Sequence, residues 1–323
     1  MNRLQQILAG ILVVQVVLIA VVFWPRSAAP GAGAPVFPNL KAGDIVALTI
    51  TNADGSTLEL RKQDDGWVLP GADDFAANAD KVNPIVEKIT GLTTSRLVTR
   101  TSTSHKRLQV SADDFVRRVD LETSAGEQHT LFVGSSPQYG ATHFRVDGQN
   151  ETYLTGDLTT YETSAEPAVW IDTTYVSIDE ASVDKVTLQN ANGSFNFSRD
   201  EDENWTMAGL ASDETLDQAK VDTLVSEAAS VNMERPLGKE EKPEYGMDQP
   251  SAVVRLETAD TTVTIRVGAQ DPEDKSYVVI SSESPYYVRV ASYAVQDLVE
   301  KTQEGFLELP PTPTPEEATG STE

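Results

Sequence analysis

Residues 189–205 read QNANGSFNFSRDEDENW, and residues 51–67 read TNADGSTLELRKQDDGW. Aligned without a gap, seven of the seventeen positions agree. Asn190, Ala191, Gly193, Ser194, Arg199, Asp202 and Trp205 repeat Asn52, Ala53, Gly55, Ser56, Arg61, Asp64 and Trp67. The chain reads as one module used twice, and the other segments take their places from that pairing.

Worked outward, each copy predicts the same series of elements. Residues 45–51 and 57–61 are rich in β-branched and apolar side chains around Asn52-Ala53-Asp54-Gly55. Gly and Asn or Asp tolerate the positive φ of a tight turn, so the pattern predicts a hairpin, with Trp67 on a short third extended piece. A helix follows. Val82, Ile85, Val86, Ile89 and Leu92 form one apolar face, and Val221, Leu224, Val225, Ala228 and Val231 keep the same spacing. Pro84 is expected in the first helical turn. Strand signals return at 116–123, 130–133, 143–146 and 152–155, matched by 253–258, 262–267, 277–280 and 286–290. Val133-Gly134 recurs as Val267-Gly268, each followed by a polar loop, and short closing helices are expected at 158–163 and 295–301. The hairpins match at an offset of 138, the helices at 139 and the Val-Gly pairs at 134. Loop insertions between retained packed elements produce such small drifts. The predicted fold class is α+β: an N-terminal transmembrane helix, then two tandem repeats, each with a β-hairpin, one principal helix and an antiparallel meander.

The ends differ from the middle. From Leu4 to Pro25 no residue is charged, and from Ile7 to Trp24 nearly all are apolar, Gln15 excepted. About twenty such residues span a bilayer core as a helix, which satisfies its own backbone polar groups. Trp24 stands where an interfacial aromatic would. The competing reading is a cleaved signal peptide ending near Ser27, Ala28 and Ala29, but the apolar run exceeds the usual length of roughly 7–15 residues. Arg3 and the amino terminus outweigh Arg26, a small positive-inside bias that places the bulk of the chain outside the cytoplasm. The expected organisation is a cytoplasmic stub and anchor at 1–26, a linker at 27–43, repeat domains at 44–172 and 173–309, and a Pro/Thr-rich acidic tail at 310–323, too polar to pack.

The formal net charge is -25 over 323 residues. An acidic surface repels phosphates, and no cluster of Lys and Arg offsets it, so no nucleic-acid partner is expected. The chain has no cysteine, which excludes disulfides, thiolate metal sites, cysteine nucleophiles and a lipidated cysteine anchor.

The doubled unit, with its hairpin, Trp, helix, Tyr245-Gly246-Met247-Asp248-Gln249-Pro250 segment and Val-Gly strand end, resembles the bacterial domain-of-unknown-function 4340 family. Ser104-His105-Lys106-Arg107-Leu108-Gln109-Val110, Thr142-His143-Phe144-Arg145-Val146 and Trp170-Ile171-Asp172 also look like that family. The resemblance covers about residues 44–309, and its motifs are structural. In repeat one, Val110-Ser111-Ala112-Asp113-Asp114-Phe115 is expected to stand where repeat two has its Tyr-Gly segment. Members are commonly encoded beside ABC-type export components, including those linked to gliding motility. The resemblance therefore implies an accessory role near a transporter.

Candidate chemistry is sparse. His105, His129 and His143 all lie in repeat one. With a hairpin centred near Gln138, His143 would pair with Val133, about 13 Å along the strand from His129 and too far to share a metal. Ser182-Val183-Asp184-Lys185 matches SxxK formally, but it enters a strand where that motif opens a helix. Asp200-Glu201-Asp202-Glu203 has the charge of a calcium loop without its alternate spacing. Trp67 and Trp205 read as core plugs between hairpin and helix, with sugar-stacking platforms as the competing reading. No catalytic, cofactor-binding or metal-ligating residue is expected. The expected function is a non-catalytic, membrane-anchored extracytoplasmic accessory or interaction module associated with an ABC-type export system. The alternative is a cell-envelope polysaccharide-binding protein.

Overall fold

In the computed structural model, which describes residues 33–64 and 66–308, the duplicated stretch runs through adjacent strands on one side of each of two sheets. The first sheet begins with β1 (Ile45–Asn52), β2 (Thr57–Gln63), β3 (Gly66–Leu69) and β4 (Phe75–Ala77). It continues with β5 (Leu97–Thr99), β6 (Arg117–Thr123), β7 (Gln128–Val133), β8 (Thr142–Val146) and β9 (Thr152–Thr155). Its spatial order is β4-β3-β2-β1-β6-β7-β8-β9-β5. A two-stranded ribbon pairs β10 (Thr174–Ser177) with β14 (Ser230–Asn232). The second sheet contains β11 (Val183–Asn190), β12 (Gly193–Arg199), β13 (Trp205–Met207), β15 (Arg235–Gly238), β16 (Ala252–Thr258), β17 (Thr262–Gln270), β18 (Tyr277–Ser281) and β19 (Tyr287–Val290). Its order, β13-β12-β11-β16-β17-β18-β19-β15, is that of the first sheet without β4. The predicted hairpin and meander are halves of one antiparallel sheet in each module, joined where β1 pairs β6 and β11 pairs β16. The molecule is mainly β with few helices.

The α-helices among the described residues are α1 (Ala79–Thr90), α2 (Gln218–Ala229) and the short α3 (Gln296–Glu300). Asn78 and Asp217 cap the first two, each accepting from the backbone N–H two residues on. The predicted apolar faces are buried, with Leu92 and Val231 just past the helix ends. Pro84 lies in the second turn rather than the first, because the cap at Asn78 starts the helix earlier. It is exposed there, so water can reach the Asp80 carbonyl that its missing N–H leaves free. Closure differs between the modules. Residues 296–300 form α3, whereas 158–163 make only turns.

Several repeated residues now have a physical reason. Trp67 and Trp205 are buried beneath their helices, and their indole N–H groups donate to Asn83 Oδ1 at 2.8 Å and Asp222 Oδ1 at 2.9 Å. Asn52 Oδ1 accepts from Ala165 N–H, and Asn190 Nδ2 donates to the Leu298 and Lys301 carbonyls, so each pins its module's closing segment. Lys81 and Lys220 bind the carbonyls of Ile171 and Leu307, which tie each module's end to the start of its helix. Gly134 and Gly268 lie under a crossing backbone. A Cβ there would sit 2.3 Å from the Leu108 carbonyl oxygen and 2.1 Å from that of Tyr245. This crossing corrects the alignment of the Tyr-Gly segment: its counterpart in repeat one is Leu108-Gln109-Val110. Gln109 has φ 54° where Gly246 has φ 67°.

The linker also ends earlier than its composition suggests. Val36 and Phe37 are buried, and Val36 N–H donates to the Leu92 carbonyl at 2.8 Å. The expected membrane anchor and acidic tail fall on residues outside those described. Among the described residues no helix is long and apolar enough to cross a membrane.

The two modules share a continuous apolar core and interlock at one corner. After β3, Asp73 and Asp74 take left-handed backbone with φ 53° and 58°. Asp73 Oδ2 accepts from Lys239 N–H at 2.6 Å, directly over Gly238. Phe75 meets Tyr286 edge-on at 4.9 Å between ring centroids, and the Tyr286 hydroxyl donates to the Asp73 carbonyl at 3.2 Å.

Candidate functional site

The three histidines do not converge on one site. His105 is buried with Nε2 2.9 Å from the Asn150 carbonyl. His143 is buried with Nδ1 2.8 Å from the Ser135 carbonyl. Burial pushes its imidazole below the usual range, the Ser135 bond opposes this, and the nearby Arg107 charge adds to it. His129 lies edge-on to Phe37 at 5.5 Å. Val133 pairs with Phe144 rather than His143, one residue from the predicted register. Among the described residues no group of three His, Asp or Glu side chains is placed to hold a metal.

The other candidates are built into turns. Ser182 Oγ donates to the Asp179 carbonyl at 2.6 Å in a 3-10 turn that leads into β11, so SxxK does not open an α-helix here. At the 200–203 tip, Asp200 Oδ1 accepts from the N–H groups of Asp202 and Asn204, and Glu203 has φ 65°. That carboxylate closes its own turn. The tryptophans are 4 % and 3 % exposed, too buried to serve as stacking platforms.

A broad concavity lies where module one lacks a closing helix. It is a groove of about 840 Å³ bounded by α1, the 136–142 turn and the 156–162 segment. Adjoining hollows continue it along α1 towards Gly91 at one end and towards Lys81 and Trp170 at the other. Gly156 brings the walls together, since its bare Cα admits the Gly140 carbonyl where a Cβ would lie 3.2 Å from that oxygen. Tyr139 and Tyr161 line the groove and are among the most exposed large side chains described, at 105 % and 76 %.

Its floor is fixed by one carboxylate. Glu162 Oε1 pairs with Lys88 Nζ, while Oε2 accepts from Thr159 N–H at 2.9 Å and Thr159 Oγ1 at 2.8 Å. Burial alone would raise the Glu162 carboxyl, but the Lys88 and Thr159 bonds outweigh it and hold the group below its ordinary range. A carboxylate held ionised in this way orients hydrogen bonds and does not serve as a proton donor near neutral pH.

Module two places different charges at the corresponding junction. At the helix offset of 139, Glu227 stands where Lys88 does. Lys301 bonds Asp297 at 2.5 Å, and Glu227 Oε2 is buried without a partner. Burial, then the Asp297 charge, push Glu227 up to about 7, against the pull of Lys301. Neither tyrosine of the groove is singled out by sequence pattern. The only available signal is an aromatic ring inside a polar loop with no apolar periodicity around it.

A sequence model described as "Domain of unknown function (DUF4340)" matches residues 67–216 and again residues 205–308. The two matches start at the paired tryptophans, 138 residues apart. No curated protein and no solved structure matches the chain.

Proposed function

This chain belongs to the domain-of-unknown-function 4340 family, and we propose that it is a non-catalytic, membrane-anchored module displayed outside the cytoplasm as an accessory subunit of an ABC-type export assembly. The interlocked module pair is the observation that carries the reading. Asp73, Phe75, Lys239 and Tyr286 join two sheets that already share a core, so relative motion of the modules would break buried contacts as well as surface ones. The residues that both modules use in the same way, the tryptophans, the asparagines and the helix-start lysines, hold the fold together. A rigid double body on an apolar N-terminal segment suits presentation to a partner. The partner class follows from the resemblance of the chain to proteins encoded beside exporters.

Co-purification of the full chain from native membranes with mass spectrometry tests the reading. Subunits of one ABC-type exporter should be recovered with it, and recovery of the chain without any transporter component would sink the proposal. N-terminal sequencing of the same sample should find the apolar segment retained. A start near Ala29 or Pro30 would remove the anchor.

A further inference from the structure

We propose that the groove along α1 binds a neutral polysaccharide chain between Tyr139 and Tyr161. The inference goes beyond the accessory role and does not depend on which transporter is the partner. A sugar ring has a C–H face and a rim of hydroxyls, so its receptor needs aromatic surface beside fixed polar groups. The groove supplies both. Two tyrosine rings stand in solvent at 105 % and 76 % exposure and line the same concavity. Exposed aromatic surface of this kind is a mark of recognition sites, because the ring is apolar and rigid while its hydroxyl stays solvated.

The polar complement is fixed before any ligand arrives. Glu162 is held from both oxygens by Lys88 and Thr159, so orienting it for a ligand costs little conformational entropy. Ser136 and Thr142 hydroxyls line the opposite wall, 3.4 Å apart. The shape is elongated. Lys81 to Gly91 spans about 15 Å of helix at 1.5 Å per residue, and hollows continue along that length, which suits a chain better than a single sugar.

Charge selects the class of polysaccharide. Along the groove and its continuations Glu87, Asp157 and Glu162 face two cations, Lys81 and Lys88, on a chain of net charge -25. Uronate and phosphate polymers are therefore disfavoured. Hydrolysis is not part of the proposal, since the ionised Glu162 cannot act as the acid of a glycosidase pair.

The test uses the full chain in a sugar-free zwitterionic detergent, titrated by saturation-transfer NMR with cellohexaose, maltohexaose and hexagalacturonate. At least one neutral hexasaccharide should saturate. Its affinity should fall at least tenfold in Tyr139→Ala and in Tyr161→Ala, recover in the corresponding Phe variants, and be unchanged in Tyr293→Ala on module two. Both tyrosines are exposed, so the variants should fold, and circular dichroism checks this. Failure of both neutral probes to saturate overturns the proposal and leaves the rings to a protein contact. Unchanged affinity in the Ala variants, or tighter binding of hexagalacturonate, also overturns it.

Discussion

The two modules share a strand order and differ at the junction where the principal helix meets the closing segment. In module one α1 faces a turn, and the Lys88–Glu162 pair forms the floor of an open groove. In module two α2 faces α3, Phe306 fills the core beside Phe195 and Phe197, and Glu227 is left with an unpartnered buried oxygen. The shared residues serve the fold, while the junction is where one copy became closed and the other kept a surface to offer.

The tryptophans test that comparison most severely. Trp67→Ala and Trp205→Ala should each destabilise by about 3–5 kcal/mol, the usual cost of truncating a buried aromatic. Denaturant unfolding should show similar losses for the two. A loss confined to one variant would mean that the modules do not use the residue alike. Because the core is shared, both variants are expected to unfold in one transition.

The junction itself gives a smaller and pH-dependent effect. A carboxyl raised to about 7 in the folded chain binds its proton more tightly there than in the unfolded chain. Its contribution is fully present below the unfolded carboxylate range and is lost as pH rises towards 7. Glu227→Gln should remove that dependence and stabilise the protein at pH 8 by about 1–2 kcal/mol, after discounting for the partial exposure of the group. Melting temperatures at pH 5 and pH 8 decide it: a variant with the same pH dependence as the parent assigns the effect to other groups.

The smallest effect lies at the crossing segment. Gln109 holds a left-handed backbone that its counterpart Gly246 adopts without strain. Gln109→Gly should therefore stabilise module one by up to about 1 kcal/mol, since the relieved strain exceeds the entropy lost by adding a glycine. A destabilised variant would show that the Gln109 side chain matters more than its backbone.

Much of the fold was legible because its signals are local. The Asn-to-Trp stretch and the i, i+3, i+4 face of each helix are read without knowing what packs on them. The three-residue strands β4, β5 and β14 carry too little pattern to be seen. The Tyr-Gly segment was matched two residues late in repeat one because nothing in Leu108-Gln109-Val110 announces a left-handed glutamine. The 158–163 helix failed for a related reason. Thr159 and Glu162 make the reciprocal bonds of a capping box, a local helix-start signal, but the chain leaves after one turn for Ala165 N–H to reach Asn52, a long-range contact that local pattern does not announce. The groove was illegible, since placing Tyr139 and Tyr161 beside one concavity depends on two loops that are remote from α1 in sequence.

The lock between the modules is directional. It joins the corner of one module to the β15 edge of the next, a head-to-tail contact, which in principle can propagate into a filament. The strand in the equivalent place in module one is β5. Thr99 faces Thr152 there as Gly238 faces Tyr287 in module two, and Glu151 takes the place of Tyr286. Gly238 has φ 102°, and a Cβ on it would lie 2.6 Å from the Asp73 carboxylate oxygen. Threonine meets neither requirement, and a glutamate there would repel an incoming aspartate. Among the described residues the receiving edge thus occurs once, at β15, and Asp73 of the same chain fills it, so the two edges that share a place in the strand order differ in what they can seat.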